Sequence, residues 1–110
     1  MNWYKKAKAI SIYRGENSSN KNGHYYSIDK NFAAQFTQTG QIKEVITKKI
    51  DLSLIYDSRK EGKPLPSANN ENEFDNAMAR AKELGLVGFR LTEGVNQPDS
   101  IYLINKVFAS

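Results

Sequence analysis

The chain has no cysteine and a single histidine. Disulfides, thiol nucleophiles and thiolate metal sites are therefore excluded. His24 alone cannot build a histidine-based cluster, so no metal site is expected. A chain without thiols is compatible with a reducing cytoplasm. Long apolar runs are missing as well: none approaches the roughly 20 residues that a bilayer crossing needs. Met1 to Lys8 has the charge of a secretory leader but lacks the apolar stretch that follows one. We expect a cytoplasmic protein with no membrane segment. A glycine-rich phosphate loop is also lacking, since Gly85-Leu86-Val87-Gly88 has no third glycine and follows a helical pattern instead of opening one.

What is present fits one domain over residues 1–110. With 39% apolar residues in 110, the chain can bury one modest core. The net charge of +4 is uneven, with twelve Lys and Arg against six Asp and Glu through Pro66, and four against six thereafter. A solvated basic face is the ordinary reading of such an excess, and a pyrophosphate or acidic partner is the functional one. Lys5, Lys6 and Lys8, interleaved with Trp3 and Tyr4, also have the make-up of a short nucleic-acid contact.

Alternation over Lys8 to Arg14, with Ile10 and Ile12 on one face, predicts a strand that delivers Arg14 at its exit. Gly15 to Gly23 is polar and turn-prone, and reads as a loop. His24 to Ser27 is a second, aromatic strand. Asp29 caps a helix carrying Phe32, Ala33 and Phe36. Ile42 to Leu54 predicts a long strand with a bend or bulge near Val45-Ile46, where alternation slips. Tyr56 to Asn70 is the longest irregular connection and the segment expected to meet a macromolecular target. Asn70 caps a helix from Glu71, whose Phe74, Ala77, Met78, Ala81 and Leu84 form one apolar stripe, and Gly85 ends it. Val87 to Leu91 is a buried strand in which Gly88 permits close approach. A polar hairpin to Asp99 and a last strand from Ser100 to Asn105 complete the chain.

Several segments, in this order, resemble the ADP-ribosyltransferase fold: the Tyr13-Arg14-Gly15 triplet, the aromatic strand ending at Ser27, the alanine-containing helix, the Glu83 to Arg90 segment, and the final hairpin and strand. Within that fold they are similar to the small domains of phage polyvalent and head-associated proteins, including phage transferases directed against host defence. The resemblance covers roughly residues 10 to 106. It implies an α+β domain with two small, mostly antiparallel sheets and two principal helices. NAD would sit in a cleft between the sheets and lose its nicotinamide there. On this resemblance Arg14, beside Gly15, contacts the phosphates or ribose of NAD, a task suited to a guanidinium fork. Ser27 supports the nicotinamide-side ribose and positions the acid, and Tyr25 or Tyr26 stacks on the nicotinamide ring.

The family's acid is a glutamate at the start of a late strand, needed because positive charge develops on the ribose. Here that place holds Ser100, with Asp99 beside it and Gln97 and Glu93 in the hairpin. Asp99 is the first choice for the acid and Glu93 the second.

Each of these residues also has a plain structural reading. Arg14 is then an ion-paired strand end, Ser27 a turn or cap residue, and Asp99 an ordinary turn aspartate. Tyr25 and Tyr26 point to opposite faces, so at most one meets a ligand. The implied function is mono-ADP-ribosyl transfer from NAD to a protein target, by a monomer, directed at host machinery or defence. The alternatives are a non-catalytic binding protein of the same fold and, third, a small nucleic-acid binder.

Overall fold

The computed structural model of the chain describes residues 9–16, 23–35 and 44–109. Trp3 to Lys8, the loop residues 17–22, Phe36 and Ile42 lie outside these. Strand β1 (Ala9–Glu16) runs two residues past Arg14 and pairs along its whole length with β3 (Glu44–Asp51), from Ala9 opposite Asp51 to Glu16 opposite Glu44. This unbroken register leaves no room for the bulge expected at Val45-Ile46. Val45 and Ile46, adjacent and therefore on opposite faces of the strand, are both half-buried. Nor does β3 continue to Leu54. The Asp51 carboxylate accepts from the Ser53 amide at 2.9 Å and from its hydroxyl at 2.7 Å, turning the chain into a 3-10 turn over Leu52–Leu54.

Strand β2 (Tyr25–Ser27) touches β1 where Tyr13 lies opposite Ser27. On its other side it pairs with β6 (Ser100–Leu103), from Tyr25 opposite Tyr102 to Ser27 opposite Ser100. The two separate sheets expected from the sequence are thereby joined through β2 into one six-stranded sheet, ordered β3-β1-β2-β6-β5-β4. All neighbours are antiparallel except β4 (Ile55–Tyr56) and β5 (Gly88–Leu91). Those two run parallel because helix α2 (Glu71–Glu83) carries the chain back between them. The fold class is α+β.

The helix caps follow the sequence. Asp29 Oδ1 accepts from the Phe32 amide at 2.8 Å and starts α1 (Lys30–Ala34). Asn70 Oδ1 accepts from the Glu73 amide at 3.1 Å and starts α2, with Glu71 and Glu73 in its first turn and Arg80 and Lys82 in its last, as the helix dipole favours. Gly85, at φ 72°, ends it. Phe74, Ala77, Met78 and Ala81 pack on the sheet as their spacing predicts. Leu84 does not; it caps the helix where the chain turns away, and is 44% exposed.

Alternation splits the apolar residues between two cores. Ile12, Tyr26, Ile50, Ile55, Ile101 and Leu103 fill one face of the sheet; Tyr56, Phe89 and Leu91 meet Ala77 and Ala81 of α2 on the other. Gly88 is fixed by close approach, since a Cβ there would lie 2.5 Å from the Tyr102 carbonyl oxygen. Among the described residues no helix is long and apolar enough to cross a membrane.

Candidate functional site

The end of β1, strand β2, helix α1, residues 68 and 69, and the β5–β6 hairpin surround a cavity of about 370 Å³. Six of the residues singled out in the sequence border it: Arg14, Gly15, Tyr25, Tyr26, Ser27 and Glu93. Asp99 does not. Its carboxylate accepts from Arg90 Nε at 2.9 Å. Ser100, its neighbour, lines the cavity, and adjacent residues of an extended chain face opposite ways.

Arg14 reaches the site from β1 with its guanidinium already oriented. Nε donates to Glu16 Oε2 at 3.0 Å and Nη1 to the Tyr25 carbonyl at 3.0 Å. Gly23 makes room for this group, since a Cβ there would fall 2.1 Å from Arg14 Nη2. The arginine thus ties β1 to β2 at the cavity wall.

The two tyrosines divide as alternation requires. Tyr26 is 5% exposed, and its ring packs edge-on against Phe108 in the first core at 6.0 Å, so it borders the cavity as a framework residue. Tyr25 is 36% exposed and lies edge-on to Tyr102 at 5.2 Å, on the side of the sheet that holds Phe74 and Phe89. Burial, then the nearby Glu93 carboxylate and the Tyr102 phenol, push the Tyr25 phenol above its usual range. Tyr25 is therefore the ring available to a ligand, and Glu93 lies close enough to be felt by it.

Ser27 and Ser100 stand opposite each other across β2 and β6, and both are buried. Ser27 Oγ accepts from the Asp29 amide at 3.0 Å, so the turn-forming reading of this serine describes one of its bonds. Ser100 donates its hydroxyl to Glu93 Oε2.

Glu93 is held from the far side by backbone. Thr92 forms a parallel bridge with Ser67, donating its amide to the Pro66 carbonyl at 2.9 Å and accepting from the Ala68 amide at 2.9 Å. The connection from Tyr56 to Asn70 is thereby stitched to the hairpin and places Ala68 and Asn69 on the cavity wall. Sequence reasoning missed Ser100, Asn69 and Tyr13 as lining residues. Ser100 falls on the same face as Ser27 only through the β2–β6 register, and nothing local pointed to Asn69.

His24 takes no part. It stacks on Tyr102 at 5.5 Å, and its Nδ1–H donates to the Leu103 carbonyl at 2.7 Å, which fixes the tautomer.

The cavity thus presents one guanidinium, one carboxylate, two serine hydroxyls and an accessible aromatic ring, a set able to hold a sugar-phosphate ligand and to stabilise positive charge on it. No family model, curated protein or solved structure matches the chain.

Proposed function

We propose that this cavity is an ADP-ribosyl-transfer site, with NAD as donor and a protein as acceptor. The observation that carries the reading is the convergence of Arg14, Tyr25, Ser27 and Glu93, from three separate stretches of chain, on one wall system. At about 370 Å³ the cavity lies at the low end of small-molecule pockets, which run roughly 300–1,000 Å³, and matches the nicotinamide riboside end of the donor better than the whole dinucleotide. NAD supplies the ADP-ribosyl group, released as nicotinamide departs with the glycosidic electron pair.

The chain's own groups then have distinct tasks. Glu93 places a fixed negative charge where the ribose becomes positive, the preorganised electrostatic contribution that needs no rearrangement during reaction. Tyr25 offers a ring face for the nicotinamide. Ser27 supplies a hydroxyl at the ribose, and Arg14 holds the first phosphate or the ribose with its planar fork. Glu93, in the hairpin, takes the role for which Asp99 was the first choice, because Asp99 is engaged by Arg90 outside the cavity.

One observation favours the second reading, a non-catalytic binding protein of the same architecture: the charge of Arg14 is already offset by Glu16 at 3.0 Å. The deciding experiment incubates the protein with adenylate-labelled NAD and a cell lysate and follows both label on protein and free nicotinamide. We expect both in the wild type and a loss of both in Glu93→Gln. Wild-type nicotinamide release no greater than that of Glu93→Gln would reject transfer and leave the binding reading.

A further inference from the structure

We propose that Ser100 is the residue that positions Glu93, a task the family resemblance assigns to Ser27; the inference rests on the ADP-ribosyl-transfer reading of the cavity. The two serines are direct partners across β2 and β6, at 4% and 3% exposure, so neither burial nor strand position separates them. Their hydrogen bonds do. Ser27 Oγ receives the Asp29 amide, which opens the turn into α1. Ser100 donates to Glu93 Oε2.

The register explains why the bond falls to Ser100. Leu91 lies opposite Ser100 across β5 and β6, and Glu93 follows two residues later, just past the Thr92 bridge to Ser67. Ser100 thus meets Glu93 across the base of the hairpin. The carboxylate is pinned through one oxygen. Among the described residues, no hydrogen bond occupies Glu93 Oε1, and Glu93 itself lines the cavity.

A carboxylate on a flexible side chain contributes to a transition state to the extent that it is already aimed. Ser100 provides that aim through its bond to Glu93, and we assign it as a positioning residue. Ser100→Ala should lower kcat for nicotinamide release about ten- to a hundredfold, the scale known for groups that orient metal ligands through a hydrogen bond, with KM for NAD unchanged. Ser100→Thr, which keeps the hydroxyl, should recover most of the loss. In the ligand-free protein the carboxyl carbon-13 resonance of Glu93 should move in Ser100→Ala, return in Ser100→Thr, and stay in place in Ser27→Ala.

An unmoved Glu93 resonance in Ser100→Ala, or an equal movement in Ser27→Ala, would overturn the assignment. A wild-type protein that releases no nicotinamide, while its Glu93 resonance responds to Ser100 alone, would reject the transfer reading and retain the Ser100 to Glu93 contact.

Discussion

Arg90 and Asp99 close the base of the β5–β6 hairpin, with Arg90 Nε donating to Asp99 Oδ2 at 2.9 Å. The pair lies on the opposite side of the strands from Ser100 and the cavity. Beside it, Asp57 accepts from both Nε and Nη2 of Arg59, at 2.9 and 2.7 Å. Arg59 first, with smaller help from Arg90, holds the Asp57 carboxyl below the usual carboxylate range. Two aspartates and two arginines thus neutralise one another where β4 and β5 end. The hairpin is fastened on this side by charge and on the other by the Thr92 bridge to Ser67. Glu93 stands between the two fastenings.

Asp99→Asn follows directly. The neutral amide weakens a half-buried charge-assisted bond, so we expect a loss of on the order of 1 kcal/mol in denaturant unfolding. Nicotinamide release should fall far less than in Glu93→Gln, because only the fastening is touched. Asp99→Asn that matches Glu93→Gln in rate, at unchanged stability, would return the acid to Asp99.

The gap between sequence and structure lies mostly in what strands do to one another. Local signals were legible: Asp29 and Asn70 as caps, Gly85 as a stop, Gly88 as a close approach, and the stripe from Phe74 to Ala81. Each depends on residues within a few positions of itself or on a steric demand of one atom. Pairing was not legible, because a three-residue strand such as Tyr25–Ser27 carries no label for its neighbours. Its bonds to β6 merged two expected sheets and set Ser27 against Ser100. The different placement of Asp99 and Glu93 relative to the cavity was hidden for the same reason. Proximity to the last strand favoured Asp99, but the face presented to the cavity depends on a register that the hairpin's composition does not disclose. Arg14 was expected at a strand exit, but β1 continues to Glu16, and its pairing with Glu16, two residues on along the same face, depends on that continuation past Gly15.

Gly23→Ala tests the arginine without altering it. The added Cβ would meet the Arg14 guanidinium at 2.1 Å, and the side-chain end yields more readily than backbone. The guanidinium should swing off the Tyr25 carbonyl, weakening NAD affinity by about tenfold, the scale of one lost charge-assisted hydrogen bond. Calorimetric titration with NAD checks this. Unchanged affinity in Gly23→Ala and in Arg14→Lys would remove Arg14 from the donor site.

Acid stability should depend on Glu61. Arg80 grips its carboxylate through Nη2 at 2.6 Å and Nε at 3.3 Å, and the Tyr56 hydroxyl donates to it at 2.7 Å. Arg80 first, then Tyr56, bring the Glu61 carboxyl from about 4.5 down to about 2. A folded-state pKa below the unfolded one gives stability that is present above 4.5 and lost as pH falls toward 2. Wild type should therefore melt higher than Glu61→Gln near neutral pH, and the two should converge as pH approaches 2. Because the pair is exposed, high salt should narrow the neutral-pH gap. A constant gap from neutral to acid pH would show that the network contributes through packing instead of charge.

Glu93→Gln is the central test, since two independent readouts meet on it. Glu93 is half-buried and accepts from the buried Ser100, so this isosteric change should cost on the order of 1 kcal/mol in stability. If Glu93 supplies the charge opposite the ribose, transfer should fall at least about a hundredfold while NAD binding persists. The second readout is the Tyr25 phenol. Burial raises it most and the Glu93 carboxylate adds to that, so removing the carboxylate should lower the Tyr25 pKa without returning it to the ordinary value of 10.0. A phenol that ionises later in the folded state than in the unfolded chain contributes stability below pH 10 and loses it as pH rises further, so Glu93→Gln should also soften the alkaline loss of stability. A carbon-13 titration of the Tyr25 ring measures the first effect and alkaline melting the second. A fall in transfer with an unmoved Tyr25 titration would place the Glu93 charge away from that ring and oblige the nicotinamide to stack elsewhere; a lowered Tyr25 pKa with transfer intact would leave Glu93 at the cavity and take the acid's role from it.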